Sequence, residues 1–162
     1  MTRRLDYGKI APGALEAMLG LERYGRESGL EDSLIELVKV RASQINRCAY
    51  CIDMHTKDAL AAGETPQRLF LLDAWREAPA FYTDRERAAL AWTEAVTEIA
   101  EEGVSEELYE SVCAHFSEKE LVDLTTVVVT INAWNRFGIA FQSEAGHYEP
   151  KAPRLHVERT AD

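Results

Sequence analysis

Apolar residues recur at helical spacing through most of the chain, and the breaks between these runs fall on residues that start or stop helices. Pro12 opens a first helix whose apolar side is Leu15, Met18, Leu19 and Leu21 up to Tyr24, before Gly25 and Gly29 loosen the chain. Apolar positions 34, 35, 37, 38, 40, 42 and 45 mark a second helix from Ser33 to about Ile45. Asn46 is expected to cap a third, which Gly63 ends, and the Pro12 helix is expected to pack on the hairpin that these two make. Thr65 and Pro66 start the next helix, carrying Leu69, Phe70, Leu71, Leu72 and Trp75. Thr83 with Glu86 forms a capping box ahead of apolar positions 88, 89, 92, 96 and 99, and Ser105 begins a shorter helix with Leu108, Val112 and Phe116. Ser117 with Glu120 caps a long final helix.

No period-two run is long enough for a strand, since the β-branched stretch 127–130 sits inside a longer helical pattern. The expected fold class is therefore all-α, a single-domain bundle of about six to seven helices. We divide the chain into an N-terminal arm (residues 1–14), a helical domain (15–148) and a C-terminal tail (149–162) that carries Pro150 and Pro153.

Composition narrows the partners. At 162 residues and 46% hydrophobic content the chain can bury one core, and a net charge of -10 leaves no basic stripe to meet nucleic acid. Asp6, Lys9, Glu16 and Glu22 interrupt any apolar leader, and no run of eighteen apolar residues exists, so a cytoplasmic protein without a membrane span is expected. From 127 to 141 the final helix is apolar on nearly every side apart from Asn132, Asn135 and Arg136, more surface than one protomer can cover, so a homo-oligomer is expected.

The candidate chemistry lies between Ser33 and Gly63. In a reducing compartment a C-x-x-C pair, here Cys48 and Cys51, is more often catalytic or metal-binding than structural, while Cys113 in ESVCAHF is expected to be a buried structural thiol. On one helix, positions 48, 51 and 55 fall within about 60° of one another, so His55 shares a face with both cysteines. If the two helices fold back about Ile45 and Asn46, Glu36 and His55 are equidistant from the corner and lie level. A carboxylate beside an imidazole fixes its tautomer and raises its basicity, which suggests a proton relay from Glu36 through His55 to Cys51. The helix N-terminus, taken alone, favours a thiolate at Cys48.

The competing readings are plainer. The cysteines could be two small buried hydrophobes, or zinc ligands with His55, although no second C-x-x-C or H-x-x-x-H completes a zinc set. Glu36 fits a capping box with Ser33. Asn132, Asn135 and Arg136 either line the site or hold the subunit interface through buried hydrogen bonds, of which the structural role is the one expected; Asp53 and Asp58 are expected to be solvated helix-face residues, and His115, His147 and His156 surface or packing residues.

Glu36, twelve residues to Cys48, then Cys51 and His55, resembles the signature of the alkylhydroperoxidase D-like family, within the carboxymuconolactone decarboxylase superfamily. The stretch INAWNRFGIAF at 131–141 is similar to the Asn-x-x-Asn-Arg segment that often ends that domain, and the resemblance spans roughly residues 15 to 145. It implies a thiol-dependent peroxidase for organic hydroperoxides or hydrogen peroxide, with Cys51 peroxidatic, Cys48 resolving, and His55 and Glu36 relaying protons. It also implies an external dithiol or protein reductant, no organic cofactor, and dimers, trimers or hexamers. Members with peroxidase activity often carry a histidine just before the second cysteine. Tyr50 stands there instead, and a phenol with a reference pKa of about 10 is a poor proton shuttle. The rivals are a general disulfide reductase or redox sensor, a lactone decarboxylase, which has no use for a dithiol, and a non-enzymatic oligomeric binding module.

Overall fold

The computed structural model describes residues 3–101 and 103–150. They form eight α-helices: α1 (Tyr7–Ile10), α2 (Pro12–Glu27), α3 (Asp32–Ile45), α4 (Ala49–Ala61), α5 (Pro66–Leu71), α6 (Asp84–Thr97), α7 (Glu106–Cys113) and α8 (Glu118–Ala140), with 3-10 turns over Leu72–Glu77 and Pro79–Phe81. The all-α expectation holds, with a slightly higher helix count. Among the described residues there is no strand, and no helix is long and apolar enough to cross a membrane.

Four of the predicted start signals act as their chemistry requires. Thr65 accepts from the Arg68 N–H beside Pro66, and Ser105 from the Leu108 N–H. Thr83 with Glu86 and Ser117 with Glu120 close reciprocal capping boxes on α6 and α8.

α3 is the central element. It packs against α4, α6 and α8 at once, which is why Leu37, Val38, Val40 and Ala42 are all fully buried. One face joins Leu34 and Val38 to Trp92, Val112, Phe116, Leu124 and Val128; the other joins Leu37 and Val40 to Leu72, Trp75, Tyr82 and Leu90.

Three expectations are corrected here. The first helix does not stop near Tyr24 but continues to Glu27, because Gly25 is a packing residue: a Cβ on it would lie 3.1 Å from Val127 Cγ2 of α8. α2 lies chiefly along α8 and meets α3 of the hairpin through its ion pairs, Glu22 with Lys39 and Arg26 with Glu36; Met18 is buried, while Leu19 and Leu21 face outward. Cys113 is an exposed free thiol, because Val112 takes the inward position and the next residue turns about 100° away. His115 and His147 are exposed; His156, like residues 151–162 of the expected tail, lies outside the described residues.

Candidate active site

The corner between α3 and α4 is built differently from the expected cap. Asn46 ends α3 instead of starting α4, and its side-chain Nδ2 is shared among Ala42 O (3.0 Å), Asn132 Oδ1 (2.8 Å) and Asn135 Oδ1 (2.9 Å). Asn135 in turn donates to Ser43 Oγ (3.0 Å), Asn132 to Thr97 Oγ1 (3.0 Å), and Arg136 Nη1 to Asn132 O (2.8 Å). Asn132 and Asn135 therefore form a buried clamp that fastens α8 to the corner carrying the cysteines, whereas Arg136 is exposed and bonds back to Asn132 within α8. Arg47 takes the left-handed conformation (φ 57°), and the chain turns back so that Cys48 N–H donates to Ser43 O (3.0 Å).

This places Cys48 at the N-cap of α4 and Cys51 three residues on, in its first turn. N-cap and third-residue side chains are the two that meet in a capping box, and the same geometry brings these sulfurs to disulfide distance, with Cα atoms 5.4 Å apart. Both sulfurs thus sit among the unpaired N–H groups of the helix start, and the dipole no longer singles out Cys48. Each residue is only 2% exposed, in a cluster with Ala42 and Ile131 against which half-buried Tyr50 and Trp134 pack. Over that cluster Phe137 and Phe141 meet the ring of Tyr7 from the arm, at centroid distances of 5.1 and 5.6 Å.

Gly138 is a site residue that sequence reasoning passed over. A Cβ there would stand 3.0 Å from Cys48 Sγ and 3.6 Å from Cys51 Sγ, so only glycine lets α8 approach the pair this closely. The available signal was a lone glycine inside an apolar helix. Gly138→Ala is expected to cost about 1–3 kcal/mol through overpacking and to slow re-formation of the Cys48–Cys51 bond after reduction. Urea unfolding and thiol titration check both; unchanged values in both would show that the contact yields freely.

His55 and Glu36 are level across the hairpin as the equidistance argument requires. The imidazole Nδ1 and carboxylate Oε2 lie 2.8 Å apart, both side chains buried, and His55 is one turn along α4 from Cys51. The capping-box alternative for Glu36 is set aside, since α3 begins at Asp32 with Glu31 at its N-cap. Burial pushes the Glu36 carboxyl up, but the His55 hydrogen bond, Lys39 and Arg26 outweigh it and hold it below the usual carboxylate range. Arg26 Nη2 stands 3.8 Å from Glu36 Oε1 and also pairs with Glu22, which meets the buried Lys39 ammonium.

Asp53 and Asp58 are more than solvated face residues. Asp53 accepts from Gly146 N–H (2.9 Å) and pairs with Lys57, Lys57 donates to Tyr148 O (3.0 Å), and Tyr148 OH donates to Asp58 Oδ1 (2.7 Å). Together they strap the segment after α8 along α4. Glu36, His55 and Asp58 bring one donor atom each within 4.8 Å of one another, a spacing a metal ion could bridge. Glu36 and Asp58 already serve His55, Arg26 and Tyr148, so this trio is described more simply as a hydrogen-bonded polar cluster.

Several known proteins are similar to this chain in sequence and fold. The carboxymuconolactone decarboxylase family model matches residues 12–95. The uncharacterized protein YdfG of Bacillus subtilis is 43% identical over 145 residues, covering 90% of this chain and 98% of its own. A protein of unknown function from Agrobacterium tumefaciens, named for a suspected antioxidant defence role of the AhpD type, has a similar structure. Its TM-score is 0.87 at 44% identity, over 91% of this chain and all of that one. An uncharacterized peroxidase-related protein from Silicibacter has a TM-score of 0.73 at 26% identity, over 82% of this chain and 70% of that one. By sequence and helical architecture, the chain belongs to the carboxymuconolactone decarboxylase family, in its alkylhydroperoxidase D-like branch.

Proposed function

We propose that the protein is a thiol-dependent peroxidase that reduces organic hydroperoxides or hydrogen peroxide. The observation that carries this reading is the buried Glu36–His55 pair, 2.8 Å apart and one helical turn from a cysteine pair at disulfide distance. Cys51, deprotonated with His55 as base, attacks the terminal peroxide oxygen. The O–O bond breaks, Cys51 becomes a sulfenic acid, and the leaving alkoxide takes a proton from the imidazolium and departs as an alcohol. Cys48 then attacks the Cys51 sulfur, the sulfenic oxygen leaves as water, and the disulfide forms. A dithiol returns the pair to thiols by exchange, supplying two electrons and two protons. Glu36 fixes the His55 tautomer and stabilises its charged form.

The near-complete burial of both sulfurs supports a small peroxide as substrate over the disulfide of a folded protein. In the same reading the protein works in the cytoplasm as a homo-oligomer. Val122 and Val129 of α8 and Ile99 are 61%, 50% and 60% exposed in a single protomer and supply apolar surface for contacts between copies.

The test is stopped-flow oxidation of the reduced protein by cumene hydroperoxide, with thiols counted by mass spectrometry. Rapid loss of two thiols in the native protein is expected, with a trapped sulfenic acid in Cys48→Ser and none in Cys51→Ser. Oxidation no faster than that of a free thiol in solution would remove the peroxidase reading and favour a disulfide reductase or redox sensor.

A further inference from the structure

Tyr148 and Asp58 lie at the outer edge of the Glu36–His55 pair and have no part in the scheme above. Asp58 is half-buried on α4, one turn after His55 along the helix, and its carboxylate is within 4.8 Å of donor atoms on both His55 and Glu36. The Tyr148 hydroxyl fixes that carboxylate from outside at 2.7 Å. The backbone around Tyr148 is itself held in place, by Lys57 at Tyr148 O and by Asp53 at Gly146 N–H. Three residues spread along α4 thus clamp one short segment, with its phenol directed at the polar cluster.

We propose that Asp58, held by Tyr148, is a positioning residue for the Glu36–His55 pair, a second fixed negative charge that keeps the shared proton on the pair. The proposal rests on the reading of that pair as the proton relay for Cys51. Its electrostatic setting is complete on every side. Glu22 and Arg26 face the pair from α2, Lys39 from α3, and Tyr148 from the segment after α8; Glu64, Arg68 and Glu86 line the cleft of about 290 Å³ that opens onto Glu36. Glu22, Arg26 and Lys39 already form an ion-paired group, and Arg68 is paired with Glu64 and Glu86. The hydrogen-bonded partner of Asp58 here is a neutral hydroxyl, and the Arg26 guanidinium that also acts on it through space is shared with Glu22 and Glu36, so Asp58 adds a further anion to the pair's surroundings. The phenol is pushed well above its ordinary value by burial, then by Asp58 and by Glu36, so it remains a neutral donor at all physiological pH.

The sign of the effect follows from charge alone. Removing an anion favours the deprotonated form of every group near it, whereas removing a hydroxyl that offsets the anion does the opposite. The experiment follows the His55 ring signals by NMR across pH in the full-length protein, alongside the pH profile for iodoacetamide alkylation of reduced Cys51, resolved by peptide mass spectrometry. Asp58→Asn is expected to move the His55 midpoint down by about half a pH unit or more, Tyr148→Phe to move it up by a smaller amount, and Asp58→Glu to restore it. Midpoints unchanged in both Asp58→Asn and Tyr148→Phe, with the fold intact by circular dichroism, would overturn the proposal. Glu36→Gln separates it from the reading beneath it. If Asp58→Asn moves His55 but neither Glu36→Gln nor Asp58→Asn changes the Cys51 profile, the charge coupling stands and the relay to Cys51 falls.

Discussion

Replacing His55 with alanine is expected to slow oxidation of Cys51 by cumene hydroperoxide by about 10²- to 10⁴-fold, the range over which a positioned proton-transfer group contributes. Glu36→Gln should cost less, about 10- to 100-fold, because it removes the partner that orients the ring while leaving the ring in place. The order of the two effects is the informative part. His55 is one turn from Cys51 on the same helix, whereas Glu36 reaches the cysteine only through His55 Nδ1. Stopped-flow rates on the reduced variants measure both. A His55→Ala rate within about threefold of the native rate would show that Cys51 ionises without a base. Glu36→Gln as damaging as His55→Ala would instead mean that the carboxylate's main task is to keep His55 charged.

The second large effect concerns stability. Lys39 is a lysine in the middle of α3, 2% exposed, and Glu22 on α2 is its ion-pair partner. Glu22→Gln strands that ammonium and is expected to destabilise the fold by about 3 kcal/mol, at the low end for a broken buried pair because Glu36 lies close enough to share the charge. Replacing both partners together, Glu22→Leu with Lys39→Met, removes the pair whole and should be close to neutral. Burial alone would raise the Glu22 carboxyl, but Lys39 and Arg26 outweigh it and hold it below its ordinary value of 4.5. A carboxyl lowered in the folded state stabilises the fold fully above its unfolded value and loses that contribution as pH falls through the folded one. The native protein's advantage over Glu22→Gln in urea unfolding should therefore be complete at pH 7 and shrink below 4.5. An advantage independent of pH would assign the loss to packing.

The placement of the cysteine pair beside Glu36 and His55 was legible because it depends on local periodicity and one symmetric turn. Cys48, Cys51 and His55 share a helix face by their spacing, and Glu36 meets His55 because a tight corner makes equal distances along the chain coincide in space. The cap was misplaced by two residues, because Asn46 satisfies three carbonyl oxygens, two of them on a helix that begins more than seventy residues later. Propensity cannot weigh such a tertiary claim on a side chain. The same holds for Gly25 and Gly138, which read locally as weak points and are in fact places of close approach. Asp58 and Tyr148 carried no signal, since a contact across ninety residues leaves no periodicity behind. Cys113 was misjudged because an apolar neighbourhood does not tell which of two adjacent residues turns inward.

The cap-and-first-turn placement of the two cysteines also separates redox state from global stability. A bridge that closes so short a loop removes little chain entropy from the unfolded state, about 2 kcal/mol against nearly 5 for one closing a hundred residues. It lies within the cap and first turn of α4 and ties no helix to another, so the packing of α3 on α6 and α8 does not depend on it as a cross-link. In the proposed cycle the scaffold is therefore expected to hold its shape through oxidation and reduction, with the conformational work confined to a single turn.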